Sequence, residues 1–228
     1  MLNELGFHIA IGITFAVDAL LLGGLAWMFH QERFAPWHIR EPMEMRGISK
    51  RQYLLNIVPN GLLSTVATVG LIYGLSPWTM MAAPMAWWQC VLQGLAVLFV
   101  YDFAYYFLHR FFHARVVFPL VHVVHHRARF PHAMDSLYQS PVELFAGLGL
   151  FMAVVLLIGP VHWAVFATLF FLYSTLHIVI HSGMIFPHRA FAVINDLTMK
   201  HHRHHLNKHG HNFASVTPLP DYVFGTLA

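Results

Sequence analysis

Three long apolar runs, residues 7–29, 53–75 and 87–108, leave this chain little choice of fold. Each holds 22 or 23 residues. At about 1.5 Å of rise per residue, each is long enough as a helix to cross a hydrocarbon core roughly 30 Å thick. Asp18 interrupts the first run, and Asp102 lies near the end of the third. A fourth stretch, residues 142–180, is divided by Gly159-Pro160. Its first arm, 142–158, is near the lower length limit for a crossing, which predicts a tilted or partly submerged hairpin. In lipid, backbone groups must be paired within the segment, so all these runs are expected as helices. Charged residues are only 10% of the chain, against roughly a quarter in soluble domains. The expected fold class is all-α: an integral membrane bundle of three full spans plus a helical hairpin.

Charge placement predicts the orientation. With the N-terminus outside, Arg33, Arg40, Arg46, Lys50 and Arg51 fall in the first inner loop. Arg110, Arg115, Arg127 and Arg129 fall in the second, and Arg189, Lys200, Arg203 and Lys208 in the C-terminal segment. These are all 13 basic residues. The positive-inside rule makes that side cytoplasmic. Residues 1–6 carry no basic n-region, so the first run reads as a retained anchor. The stretch 34–47, with Trp37, reads as an interfacial loop. A net charge of +3 does not point to nucleic acid, because the charges are spaced by apolar runs and form no basic stripe. The single cysteine, Cys90, excludes an internal disulfide and a thiolate metal cluster.

Nineteen histidines are the second constraint, and ten of them form four boxes. The boxes are His109-x-x-x-His113, His122-x-x-His125-His126, His177-x-x-x-His181 and His201-x-x-His204-His205. Positions i, i+3 and i+4 share one helix face, so each box can aim its rings in one direction. Ten imidazoles suffice for two metal ions with about five nitrogens each. Imidazole suits iron, zinc, copper and nickel, and ten ligands are too many for one closed zinc site. The predicted topology puts all four boxes at one depth on the cytoplasmic side. Such a site is reached by a lipid from below and by a soluble electron donor from above. His202, His209 and His211 flank the last box as alternative ligands or supports. His8 and His162 fall on the outer side, and His30, His38, His132 and His188 lie outside the boxes. Asp102 precedes His109 by seven residues, two turns on the same face. It is expected to accept the second N–H of a ligand histidine. Asp18 has no such companion and stays unassigned. Tyr105 and Tyr106 are expected to pack in the span or border the site.

The residues from Asp102-Phe-Ala-Tyr-Tyr-Phe-Leu-His109 through His113, His122, His125 and His126 resemble the fatty acid hydroxylase/sterol desaturase superfamily. So do the third box, the fourth box, Asn212-Phe213 and Phe224-Gly225-Thr226. The resemblance covers about residues 102–226. It implies a helical membrane anchor (residues 1–101) and a histidine-box domain (residues 102–228, including the hairpin 142–180), with a cytosolic helical cap holding a dimetal site. It further implies two iron ions, O2 as co-substrate, and hydroxylation, desaturation or methyl oxidation of a sterol-like or fatty-acyl lipid. The three-residue spacing in the first box and Pro141-Val-Glu143 resemble sterol-oxidising members. The usual Asn-Phe-Gly is Asn212-Phe213-Ala214 here, and the usual Trp-Asp is Pro220-Asp221. The chain has no room for a haem-binding module beside these spans. Electrons are therefore expected from a separate cytochrome b5-, ferredoxin- or reductase-type protein. A histidine-rich metal transporter predicts ligands at mid-bilayer, and a b-type cytochrome predicts histidine pairs facing each other inside spans. The one-sided boxes favour neither.

Overall fold

A computed structural model describes residues 5–39, 48–127, 132–206 and 210–228. Arg40, Arg46, Arg129, Lys208, His209, residues 1–4 and most of the predicted interfacial loop lie outside the described residues. Five helices are long and apolar enough to cross a membrane: α1 (Leu5–Phe29), α2 (Lys50–Thr79), α3 (Trp87–Phe112), α4 (Pro141–Ile158) and α5 (Trp163–Ile180). Two shorter helices, α6 (Ala192–Leu206) and α7 (Leu219–Val223), follow.

Local capping sets the helix ends, so α2 and α3 overrun the apolar runs. Ser49 caps α2: its hydroxyl accepts from the Gln52 N–H at 3.2 Å, and Gln52 Oε1 accepts the Ser49 N–H at 3.0 Å. α3 continues four residues past the expected end at Leu108, to Phe112, with His113 as its C-cap. Its 26 residues make a rod of about 39 Å, longer than the hydrocarbon core. His109 and His113 therefore ride on its protruding last turn. Ser140 caps α4, with Pro141 at the first helical position, where a missing N–H costs nothing. Gly159 ends α4 at φ 99°, a backbone conformation that side chains with a Cβ resist. Both hairpin arms, α4 and α5, hold 18 residues.

The starts of α1, α3 and α5 and the ends of α2 and α4 share one end of the bundle. Gly6 lies so close to the Trp163 ring that a Cβ there would stand 3.0 Å from it. His8 Nδ1 is 2.9 Å from the Tyr73 hydroxyl. Met80–Met81 and Val161–His162 form a two-residue parallel strand pair, and Gln93 Oε1 accepts the His162 N–H at 3.0 Å. The apolar core, including Phe7, Ile72, Val97, Phe151, Val155 and Phe166, packs α1, α2, α3, α4 and α5 together. Leu20, Leu62, Leu95 and Leu157 remain largely exposed. An exposed apolar surface around a bundle of such helices is what a bilayer covers. The basic residues among those described, from Arg33 to Arg203, all belong to the opposite end.

One helical expectation fails. The second box is not on an α-helix. Residues 114–124 form successive turns, and His125–Arg127 is a short 3-10 helix. Pro119 has no N–H to donate, and five valines crowd this stretch. The His126 N–H still bonds to the His122 carbonyl at 3.2 Å, so the one-turn spacing survives locally.

Candidate metal centre

Nine of the ten box histidines converge into two groups. His109, His113, His122, His126 and His204 form one, and His125, His181, His201 and His205 the other. Within each group the candidate ligand atoms all lie within 4.8 Å of one another. The adjacent pairs explain the arrangement. Neighbours on a helical turn point about 100° apart. His125 and His205 therefore enter one group while His126 and His204 enter the other. The two groups abut, with the His126 and His205 rings stacked 4.7 Å apart.

The rings point their Nε2 atoms inward. In the first group His109 Nε2 is 3.0 Å from His122 Nε2, and His126 Nε2 is 3.1 Å from His122 Nε2 and 3.0 Å from His204 Nε2. In the second, His181 Nε2 is 3.1 Å from His125 Nε2 and 2.8 Å from His201 Nε2. The outer nitrogens are anchored. Nδ1 of His109 donates to the Phe213 carbonyl at 2.7 Å, and Nδ1 of His204 to the His211 carbonyl at 2.8 Å. Nδ1 of His125 and His181 donate to the carbonyls of Tyr138 (3.2 Å) and His177 (2.6 Å). A proton on Nδ1 leaves the Nε2 lone pair free and aimed at its neighbours. Converging lone pairs repel unless a cation lies between them. Two nitrogens each about 2.1 Å from one ion and at right angles to it stand roughly 3 Å apart. The donor set therefore fits two adjacent transition-metal ions.

Burial, then the charge of neighbouring rings, holds His122, His126, His181, His201 and His205 well below the ordinary imidazole range. His125 is held down to about 3, first by burial and then by His177. The rings are thus neutral, as ligands must be. In the unfolded chain the same histidines take up protons below about pH 6.5. Stability of the metal-free protein is therefore complete above that pH and falls as pH drops from 6.5 toward 3. Thermal unfolding of the metal-free protein at pH 7.5 and pH 5 checks this. An equal midpoint at both would contradict it.

The other predicted residues are placed differently. His177 joins neither group, and its Nε2 is 3.2 Å from the Ser136 carbonyl. His202 is buried outside both groups, and His211 contributes its carbonyl to His204. Asp102 does not accept from a ring. Its Oδ1 accepts the Val216 N–H at 3.0 Å, and its Oδ2 accepts the Thr217 N–H at 3.2 Å and the Thr217 hydroxyl. The cause is that residues 213–217 fold back along α3 and present closer donors. Asp102 therefore acts one step away, tying down the segment that supplies the Phe213 carbonyl to His109. Tyr105 lines the cavity described below, while Tyr106 is buried and stacks on Phe224 at 4.9 Å.

Glu143, rather than Asp102, is the carboxylate that stands beside a box ring. Its Oε1 lies 3.0 Å from His122 Nδ1. The Pro141-Val-Glu143 motif carried the signal, since it starts α4 and puts a carboxylate in its first turn. Replacing Glu143 by Ala is expected to cost about 10- to 100-fold in metal affinity. Gln, which still accepts through its oxygen, is expected to retain more. Metal titration of the two variants checks the order.

A cavity of about 350 Å³ runs from His109, His125, His181 and His201 into the bundle, as far as Asp18 on α1 and Phe170 on α5. It gives the imidazoles an elongated approach from the spanning helices.

Comparison with known proteins then places the chain. It is 34% identical over 145 residues to methylsterol monooxygenase 1 of Rattus norvegicus, covering 61% of this chain and 48% of that protein. It is 29% identical over 153 residues to a very-long-chain aldehyde decarbonylase of Oryza sativa subsp. indica, covering 63% and 55%. A methylsterol monooxygenase 2-1 of Arabidopsis thaliana is 27% identical over 165 residues, covering 63% and 58%. The chain thus spans about half the length of these relatives. No solved structure matches it. The fatty acid hydroxylase family model matches residues 94–226, which includes every histidine of both groups. With more than half of its length so matched, the chain belongs to the fatty acid hydroxylase family.

Proposed function

We propose that this protein is a membrane di-iron, O2-dependent oxidoreductase that hydroxylates or desaturates a lipid, sterol-like or fatty-acyl. One observation carries the reading: two abutting groups of buried, inward-pointing imidazoles stand at the mouth of a cavity that runs into the spanning helices. The named activities of its relatives, sterol monooxygenation and aldehyde decarbonylation, are both chemistry on lipids.

His109, His113, His122, His126 and His204 would hold one iron, and His125, His181, His201 and His205 the other. When bound, the pair supplies reduction of dioxygen and oxidation of an unactivated C–H bond. The chain does the rest. The carbonyls of Phe213, His211, Tyr138 and His177 fix ring tautomers, and Glu143 sits against the outer nitrogen of His122. Burial excludes water from the reacting end. The cavity walls hold the lipid so that one carbon faces the imidazoles, and this positioning sets the regiochemistry. In our reading the histidine end is cytoplasmic. A separate cytochrome b5-, ferredoxin- or reductase-type protein docks there, where Arg110, Arg115, Arg127 and Arg203 are exposed. Metal analysis and Mössbauer spectroscopy of the purified protein test the proposal. Two coupled irons per chain and an oxygen-dependent lipid product are expected. Stoichiometric zinc in a protein that oxidises no lipid would overturn it.

A further inference from the structure

Asp18 occupies the middle of α1 and lines the cavity at the end away from the imidazoles. A carboxyl at this depth is costly and is held only for a purpose. Its Oδ1 is buried and has no hydrogen-bond partner. The Ser174 hydroxyl donates to the Phe171 carbonyl at 3.3 Å and lies within reach of the Asp18 carboxyl. Ser64, Thr65 and Thr68 of α2 line the same space, and among the described residues no Lys or Arg does. The part of the cavity around Asp18 thus holds a buried acceptor oxygen without a partner and several hydroxyls. A lipid hydroxyl matches both, because it donates to the carboxyl and accepts from a neighbouring hydroxyl. An ammonium group only donates.

We propose that Asp18, with Ser174 and Thr68, forms a subsite for the hydroxyl of an amphipathic lipid and so selects the carbon presented to the imidazoles. The inference deepens the lipid-oxidation reading and rests on it. Ser174 precedes His181 by seven residues on the same helix direction, a rise of about 10 Å. The subsite and the imidazoles thus lie about two helical turns apart along the bundle. A lipid lacking the hydroxyl leaves the buried acceptor unpaired, which is how a polar pocket rejects an apolar analogue.

The test is equilibrium binding of tritiated lipids to the iron-loaded protein in nanodiscs, with empty discs as background. Two matched pairs are used: cholesterol against cholest-5-ene, and 1-hexadecanol against hexadecane. The wild type is expected to bind the hydroxylated member of at least one pair about tenfold more tightly. The pair that discriminates reports whether the cavity takes a ring system or a straight chain. Asp18→Leu is expected to bring that ratio close to one with iron content unchanged. Asp18→Asn is expected to give an intermediate ratio and carries the test if the leucine variant does not insert. No preference in either pair, or a preference that survives both substitutions, overturns the subsite. Binding needs neither dioxygen nor turnover. Failure here leaves iron content and lipid oxidation untouched, whereas failure of the lipid-oxidation reading is seen as absent iron or absent product.

Discussion

If each histidine group holds one iron, as proposed, replacing His125 by alanine leaves the protein with about half of its iron and reduces turnover at least about 100-fold. His125 belongs to the four-ring group, one ring fewer than its neighbour. Its Nε2 lies 3.1 Å from that of His181, and its Nδ1 is fixed by the Tyr138 carbonyl. Alanine removes the nitrogen and leaves a dry gap among rings that are themselves almost fully buried. The neighbouring His126 serves the five-ring group and stays in place. The loss should therefore be selective, with one iron retained and the coupling between the two abolished. His126→Ala should empty the other group in the same way. His177→Ala provides the contrast, because His177 joins neither group and its Nε2 faces a backbone carbonyl. That variant is expected to keep both irons. Iron per chain and the Mössbauer spectrum of the three variants check these outcomes. Full coupled iron in His125→Ala would remove that ring from the ligand set.

Much of this pattern is legible in the sequence, because it rests on local chemistry. Hydropathy locates α1, α4 and α5 to within a few residues, since burial in lipid acts on every residue of a span. It misses the ends of α2 and α3, which Ser49 and His113 set by capping rather than by hydropathy. Histidine spacing names the rings that converge, because one helical turn brings i and i+4 together whether the turn is α-helical or not. It does not reveal that each His-His pair is divided between the two groups. That division depends on how α3, α5, α6 and the turns of residues 114–124 meet in space. The carboxylates were the least legible. Asp102 shares a helix face with His109, yet a chain segment more than a hundred residues away supplies its donors. Glu143 is far from His122 in sequence, and only the packing of α4 under the second box brings them together. The strand pair that fastens the bundle end away from the histidines is two residues long, too short to leave any periodic trace.

The second large effect is expected at Asp221, which no histidine touches. Its carboxylate is fully buried and accepts four groups: the Phe213 N–H at 2.7 Å, the Ala214 N–H at 2.9 Å, Lys200 Nζ at 3.2 Å and the Thr226 hydroxyl at 2.9 Å. The aspartate of Pro220-Asp221 is thus the acceptor at the centre of this network. Lys200 is buried too, and its other bonds go to the carbonyls of Ala214 and Thr217. The pair thus pins residues 213–217 between α6 and α7, while Asp102 holds the same stretch from α3. The Phe213 carbonyl, which orients His109, lies inside that clamp. Asp221→Ala strands a buried ammonium and two backbone N–H groups, a loss of about 3–5 kcal/mol. His109 should then lose its fixed tautomer, so that iron in the five-ring group becomes labile as well. In the double variant Lys200→Met/Asp221→Ala the uncompensated charge is gone, and part of the stability should return. Iron retention should not return with it, because the N–H groups of Phe213 and Ala214 still lack their acceptor. Thermal unfolding and the rate of iron loss to a chelator separate these two consequences. A double variant that recovers both together would mean that Asp221 acts only by balancing the charge of Lys200.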